Sequence, residues 1–155
     1  MRRVLALLLV VPALLLAGCA PTVVLQPAPQ ATSTACAGIV VRLPQTVGVA
    51  ERRNTDSQGT AAWGTPQAVS LRCGVATPPT TDRCYSIGGV FWTTREQSIG
   101  GAQRRVLTTF GRTPGVQLVV DTGDVSADDA LQALSEPIAD ATRASGQRCS
   151  VAPTS

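Results

Sequence analysis

The chain has 155 residues, enough for one small domain and too few for a multidomain assembly. Thirteen Arg stand against ten Asp and Glu, with no Lys and no His, which excludes a His-based triad, a His-ligated metal, a Lys Schiff base and a P-loop Lys. Aromatic residues make up 3%, poor material for stacking nucleic-acid bases.

The first residues read as an address. Met1-Arg2-Arg3 is a short basic start, and Val4 to Ala17 carries no charge. That stretch of fourteen residues is too short for a permanent helix across a ~30 Å hydrocarbon core. It has the layout of a cleavable secretory signal over residues 1–18. Leu16-Ala17-Gly18-Cys19 resembles the bacterial lipobox, in which the Cys thiol receives diacylglycerol and a peptidase cuts before it. The bland alternative is an ordinary secretory signal with an incidental Cys. The Arg pair does not have the flanks of a twin-arginine signal. One acyl chain binds a membrane only reversibly, whereas two hold firmly. The expected location is therefore the extracytoplasmic face of the cell membrane, lipid-anchored through Cys19. Removal of the signal leaves eleven Arg against ten acids, a balance that gives no reason to expect nucleic acid.

Residues 19–35 read as the lipidated Cys and a flexible Pro/Ala/Thr tether, reaching roughly 20–25 Å. The alternative is that Val23-Val24-Leu25 packs on the domain. Residues 36–149 are expected to form one disulfide-stapled α+β domain, and 150–155 a tail. Cys36, Cys73, Cys84 and Cys149 are an even set in an exported chain, which argues for two disulfides. Three pairings are possible. Cys73–Cys84 with Cys36–Cys149 is the expected one, closing a short loop worth roughly 3 kcal/mol and a long one worth about 4.7 kcal/mol in the chain-entropy model.

Cys36 to Leu43 is a brief helix or a strand, stopped by Pro44. Ala61–Trp63 and Val69–Cys73 flank the turn Gly64–Gln67 as a hairpin, with Val69, Leu71 and Cys73 on the buried face. Ser86–Thr94 contains Gly88-Gly89, Gly100-Gly101 marks a turn, and Arg105–Arg112 and Gly115–Asp121 read as strands around Thr113-Pro114. Ser126 starts the clearest helix, with Asp129 completing a capping-box-like pair. Ala127, Ala130, Leu131, Leu134, Ile138 and Ala141 form its apolar stripe, and Pro137 implies a kink or two short helices. The expected fold is an α+β two-layer sandwich: an antiparallel meander of four to five strands with both helices on one face.

Catalytic and metal chemistry finds little support. Asp121, Asp124, Asp128 and Asp129 do not have EF-hand spacing and read as an ordinary helix start. Adjacent Asp128 and Asp129 point to different sides of a helix, against a carboxylate pair for glycoside hydrolysis. No catalytic residue, metal or cofactor is expected. Arg52-Arg53 and Arg104-Arg105 could meet anionic headgroups, although a surface ion pair is the default. Trp63 and Trp92 suit a core. Trp63, Arg72 and Arg112 are the possible binding surface, if the fold brings them together.

Ala62-Trp63-Gly64, Leu71-Arg72-Cys73-Gly74-Val75 with Pro78, and Thr108-Thr109-Phe110-Gly111-Arg112 resemble a family of actinobacterial exported proteins known only as a domain of unknown function. Cys36 ahead of Leu43-Pro44, and Arg52-Arg53, add to the likeness, which spans roughly Cys36 to Cys149. The resemblance implies an N-terminal signal or membrane anchor and carries no activity. The functional expectation is a non-catalytic binding or accessory domain with a protein partner in the envelope. A small lipid or ligand carrier is the alternative, and a carboxylate-based hydrolase a weaker one.

Overall fold

A computed structural model describes residues 21–78 and 84–149. The expected signal peptide over residues 1–18, Cys19 and the expected 150–155 tail lie outside the described residues. Helix α1 (Thr34–Arg42) starts where the Ser33 hydroxyl accepts from the Cys36 amide at 3.3 Å. It ends just before Leu43-Pro44, because Pro disfavours helical backbone at the residue before it.

The strands follow as β1 (Thr46–Val47), β2 (Ala50–Arg53), β3 (Thr60–Trp63), β4 (Val69–Val75), β5 (Cys84–Ile87), β6 (Val90–Ile99), β7 (Ala102–Phe110), β8 (Arg112–Thr113) and β9 (Gly115–Asp121). Helix α2 (Ala127–Ala141) and β10 (Arg143–Ala144) complete the described chain. Eight strands form one antiparallel sheet in the order β1-β2-β3-β4-β9-β7-β6-β5, and β8 pairs with β10. The expected four to five strands were therefore too few. The strands that sequence reading missed are the short ones: β1, β8 and β10 have two residues each, and β2 reads Ala-Glu-Arg-Arg. None offers an apolar alternation to detect.

Alternate strand positions form the core. Trp63, Leu71, Leu118, Leu107 and Trp92 join Ile39 of α1 and Leu134 and Ile138 of α2 in one cluster. The hairpin β3–β4 has Ala61 opposite Leu71, as the spacing around Gly64 predicts. Helix α2 is one uninterrupted run through Pro137, not two short helices. Leu134 and Ile138 are fully buried on either side of the proline, so packing holds the helix through the lost hydrogen bond. Ser126 caps it by accepting from the Asp128 amide at 3.2 Å. The cap therefore falls on the second helical residue rather than on Asp129.

The disulfides correct the expected pairing. Cys36 bonds Cys73, tying α1 to β4, and Cys84 bonds Cys149, tying β5 to the C-terminal segment. Cys73 faces the core with Leu71. Cys84 lies four strands away, in the cross-strand row of Arg72, Gln117, Thr108 and Thr93, and so on the opposite face. Four steps of ~4.8 Å separate the two by about 19 Å, far beyond a disulfide's reach.

The segment before α1 is not a free tether. The Val23 amide donates to the Asn54 carbonyl at 2.9 Å, and the Asp56 amide donates to the Val23 carbonyl at 3.2 Å, a parallel extension along the outer edge of β2. Arg53 Nη2 donates to the Pro21 carbonyl at 2.5 Å. Further on, the Gln30 amide donates to the Gly74 carbonyl at 3.1 Å. Gly74 has φ 96°, and a Cβ there would lie 2.4 Å from the Gln30 carbonyl carbon. Only glycine admits both that backbone and that approach. Ala28 and Ala31 are buried. The chain is thus fastened to the domain from Pro21 onward, with Val23 packed as the alternative reading held, and Val24 exposed.

Two predictions follow from these attachments. Non-reducing peptide mapping should return Cys36 linked to Cys73 and Cys84 linked to Cys149. Replacing Cys36 and Cys73 together by Ser should lower the unfolding free energy by about 2–5 kcal/mol. The second concerns pH. The Leu25 amide donates to Asp56 Oδ1 at 2.9 Å, and this bond, helped by the Ser57 hydroxyl, holds the Asp56 carboxyl below its ordinary value. A depressed carboxyl pKa stabilises the docked segment above the unfolded value of ~3.9 and loses that effect as pH falls through the folded value. The protection factor of the Leu25 amide, its exchange rate taken relative to the unfolded amide at the same pH, should therefore fall on acidification below about pH 4. Asp56→Ala should show that lowered protection already at neutral pH.

Candidate functional site

The three residues put forward from sequence do not meet. Trp63 is fully buried, and its indole Nε1 donates to the Pro44 carbonyl at 3.1 Å. Trp92 is likewise buried and donates to Ser135 Oγ at 3.1 Å. Arg112 closes the C-terminal end of α2. Its Nη1 donates to the Ala139 carbonyl at 3.1 Å and the Thr142 carbonyl at 3.2 Å, and its Nη2 to the Gly89 carbonyl at 2.7 Å. Partial burial lowers the Arg112 pKa from the usual arginine value, and the group stays a cation. Arg112 is thus a structural cap, placed where the negative end of a helix dipole favours positive charge.

Arg52 does the same for α1, donating to the Val40 carbonyl at 2.8 Å and the Leu43 carbonyl at 3.1 Å. Sequence reading treated Arg52-Arg53 as surface arginines with ion pairs. Neither forms one among the described residues. Because they are consecutive in a strand, they point to opposite faces. Arg52 turns toward the helices, and Arg53 turns away, donating to the Gly64 carbonyl at 3.1 Å. Recognition of β2 as a strand was the missing signal. Arg104 and Arg105 follow the default: Arg104 lies 3.9 Å from Asp121, and Arg105 lies 2.6 Å from Glu96.

Arg72 stands apart. It lies between Thr60 of β3 and Gln117 of β9, on the face turned from the helices. The same row continues through Thr108 and Thr93. Arg53, Arg95 and Arg104 share this face by alternation. The Nε atoms of Arg53, Arg72 and Arg104 are buried without a hydrogen-bond partner. A cleft of about 300 Å³ opens here, bordered by Thr77, Pro78, Thr93, Arg95, Thr108 and Gln117. Meanwhile Asp128, Asp129, Glu136 and Asp140 are exposed on α2. Four arginines therefore lie on one sheet face, and four carboxylates lie on the outer side of α2.

Such a surface suits recognition of anionic or hydroxyl-bearing groups, since guanidinium nitrogens match carboxylate and phosphate oxygens. Among the described residues, no group of three or more His, Cys, Asp and Glu could hold a metal. The acidic residues are used locally: Asp121 pairs with Arg104 and accepts from the Gly123 amide at 3.2 Å. The space between helices and sheet is filled by Trp63, Trp92 and the leucines around them. A second groove of about 420 Å³, bordered by Val49, Glu51, Arg53, Pro66, Asp124 and Val125, mixes polar and apolar lining. No described helix is long and apolar enough to cross a membrane.

The roles of the arginines separate in a stability measurement. Arg112→Ala leaves the last carbonyls of α2 without their charged donor and should cost about 1–3 kcal/mol in chemical denaturation. Arg72→Ala removes no side-chain hydrogen bond among the described residues and should change stability by less than about 0.5 kcal/mol.

Neither the curated proteins nor the solved structures contain a match to the chain. The family model described as a protein of unknown function, DUF3515, matches residues 3–146 and so reaches well upstream of Cys36. With nearly its whole length matched, this chain belongs to the DUF3515 family of proteins of unknown function.

Proposed function

We propose that the chain is exported, cut before Cys19 and moored by lipid on that residue, and that it works there as a non-catalytic binding domain. Its recognition surface is the sheet face carrying Arg72. The arrangement behind this reading is a two-layer α+β sandwich whose helices share one side, which leaves the arginine side for a partner. The single observation that carries it is Arg72 itself. It is a half-buried guanidinium in a row of Thr and Gln side chains, with no hydrogen bond or ion pair to another described residue. A cation without a partner among the described residues, while Arg52 and Arg112 are both bound to helix ends, suits an anionic group of a partner in the envelope.

The lipobox-like Leu16-Ala17-Gly18-Cys19 supports the address, and two disulfides fit an oxidising compartment. Mass spectrometry of the mature protein should find residue 19 at the N-terminus carrying diacylglycerol. Cys19→Ser should leave the leader uncut and the lipid absent. For the binding surface, a photo-crosslinking residue at Gln117 should yield adducts in intact envelopes, whereas one at Asp140 should not. Arg72→Gln should reduce those adducts about tenfold, the loss of one charged hydrogen bond. Absence of adducts at both positions would sink the binding reading.

A further inference from the structure

The most exposed large apolar side chains of the described residues are Val49 at 89%, Val41 at 78% and Val24 at 74%. They come from three separate parts of the chain, yet all three surround β2. Val49 sits in the β1–β2 turn, directly before Ala50. Val41 is in the last turn of α1, which Arg52 of β2 holds through the Val40 and Leu43 carbonyls. Val24 lies between Val23 and Leu25, whose amides donate to Asn54 and Asp56 just beyond β2.

The chain toward Cys19 leaves the domain at this same edge. Pro21 is held by Arg53 of β2, and Cys19 precedes it by two residues. Two residues span at most about 7 Å, so a lipid on that sulfur has no length of tether with which to hold the domain away. Arg42, exposed in the last turn of α1, adds a cation at this edge that suits lipid phosphates. The remaining exposed large apolar residues, Tyr85 and Ile99, are near 43% and 42% and lie on β5 and β6, across the sheet.

We propose that the β1–β2 edge rests on the bilayer that holds the anchor, with Val24, Val41 and Val49 entering the headgroup–acyl boundary. This rests on the lipid-anchor reading above. The sheet then stands on its edge. Seven inter-strand steps of ~4.8 Å lift β5 roughly 34 Å from the surface, and both sheet faces stay accessible, the arginine face included. Apolar side chains that a folded domain leaves in water become stabilising once buried ~5–10 Å into the interface, and they supply a second attachment beside the acyl chains.

The test uses the full lipidated protein in vesicles of phosphatidylglycerol and phosphatidylethanolamine, with and without bromine on the acyl chains. Trp is introduced singly as Val24→Trp, Val41→Trp, Val49→Trp and, as control, Ile99→Trp, and emission is read as a difference from the parent protein. The proposal expects about twofold quenching at the three valine positions and none at Ile99, as interfacial burial requires. Quenching equal at all four positions, or absent at the valines in protein that sediments with the vesicles, overturns the edge-on arrangement and leaves the anchor standing. Protein that carries no lipid and does not sediment overturns both. A triple variant, Val24→Asp with Val41→Asp and Val49→Asp, should remain vesicle-bound and disulfide-bonded, yet expose the β1–β2 turn to protease several-fold faster. Unchanged cleavage of that turn also overturns the arrangement. None of these valines packs in the core, so folding tolerates the changes.

Discussion

Both helices of this protein end on an arginine that belongs to another element. A helix leaves its last carbonyls without internal partners. Arg52 reaches those of α1 from β2, and Arg112 reaches those of α2 from β8. Each guanidinium satisfies two carbonyls and opposes the negative end of the dipole. With neither Lys nor His in the chain, arginine is the one side chain that brings positive charge and several planar donors to these points. The caps also set position, because each belongs to the sheet system and thereby locates a helix over it. Arg112 binds Gly89 as well, so one side chain joins α2, β8 and the β5–β6 turn.

Cysteine chemistry and glycine complete the same framework. Cys36–Cys73 fastens α1 to the middle of the sheet, next to the bulge at Gly74. Gly74 in turn lets the segment at Gln30 come against the backbone. A stretch rich in Pro, Ala and Thr thereby becomes ordered structure. Its composition carries no periodicity because it makes no sheet of its own; it borrows hydrogen bonds from Asn54, Asp56 and Gly74.

The legible parts of the fold were those whose signal is local. The β3–β4 hairpin around Gly64, the turns at Gly88-Gly89 and Gly100-Gly101, the helix after Ser126 and the placement of both tryptophans in the core all follow from residue type and alternation. The illegible parts were partnerships. Arg52, Arg72 and Arg112 are chemically identical, yet one caps α1, one caps α2 and one faces outward. Likewise the four cysteines permit three pairings, and loop length favoured the wrong one. Two-residue strands such as β1 and β8 exist because neighbours pair with them, and their own sequences say nothing of it.

The sequence by itself determined the longer elements, the absence of histidine and lysine chemistry, and the export-like start, because each rests on local preference or on composition. The tertiary structure alone decided the strand order, which put Cys73 and Cys84 on opposite faces, brought Arg52 and Arg112 to helix ends and gathered three distant valines around β2. Strand order is a property of long-range pairing. It depends on how whole elements share one core, and no short window of residues encodes that.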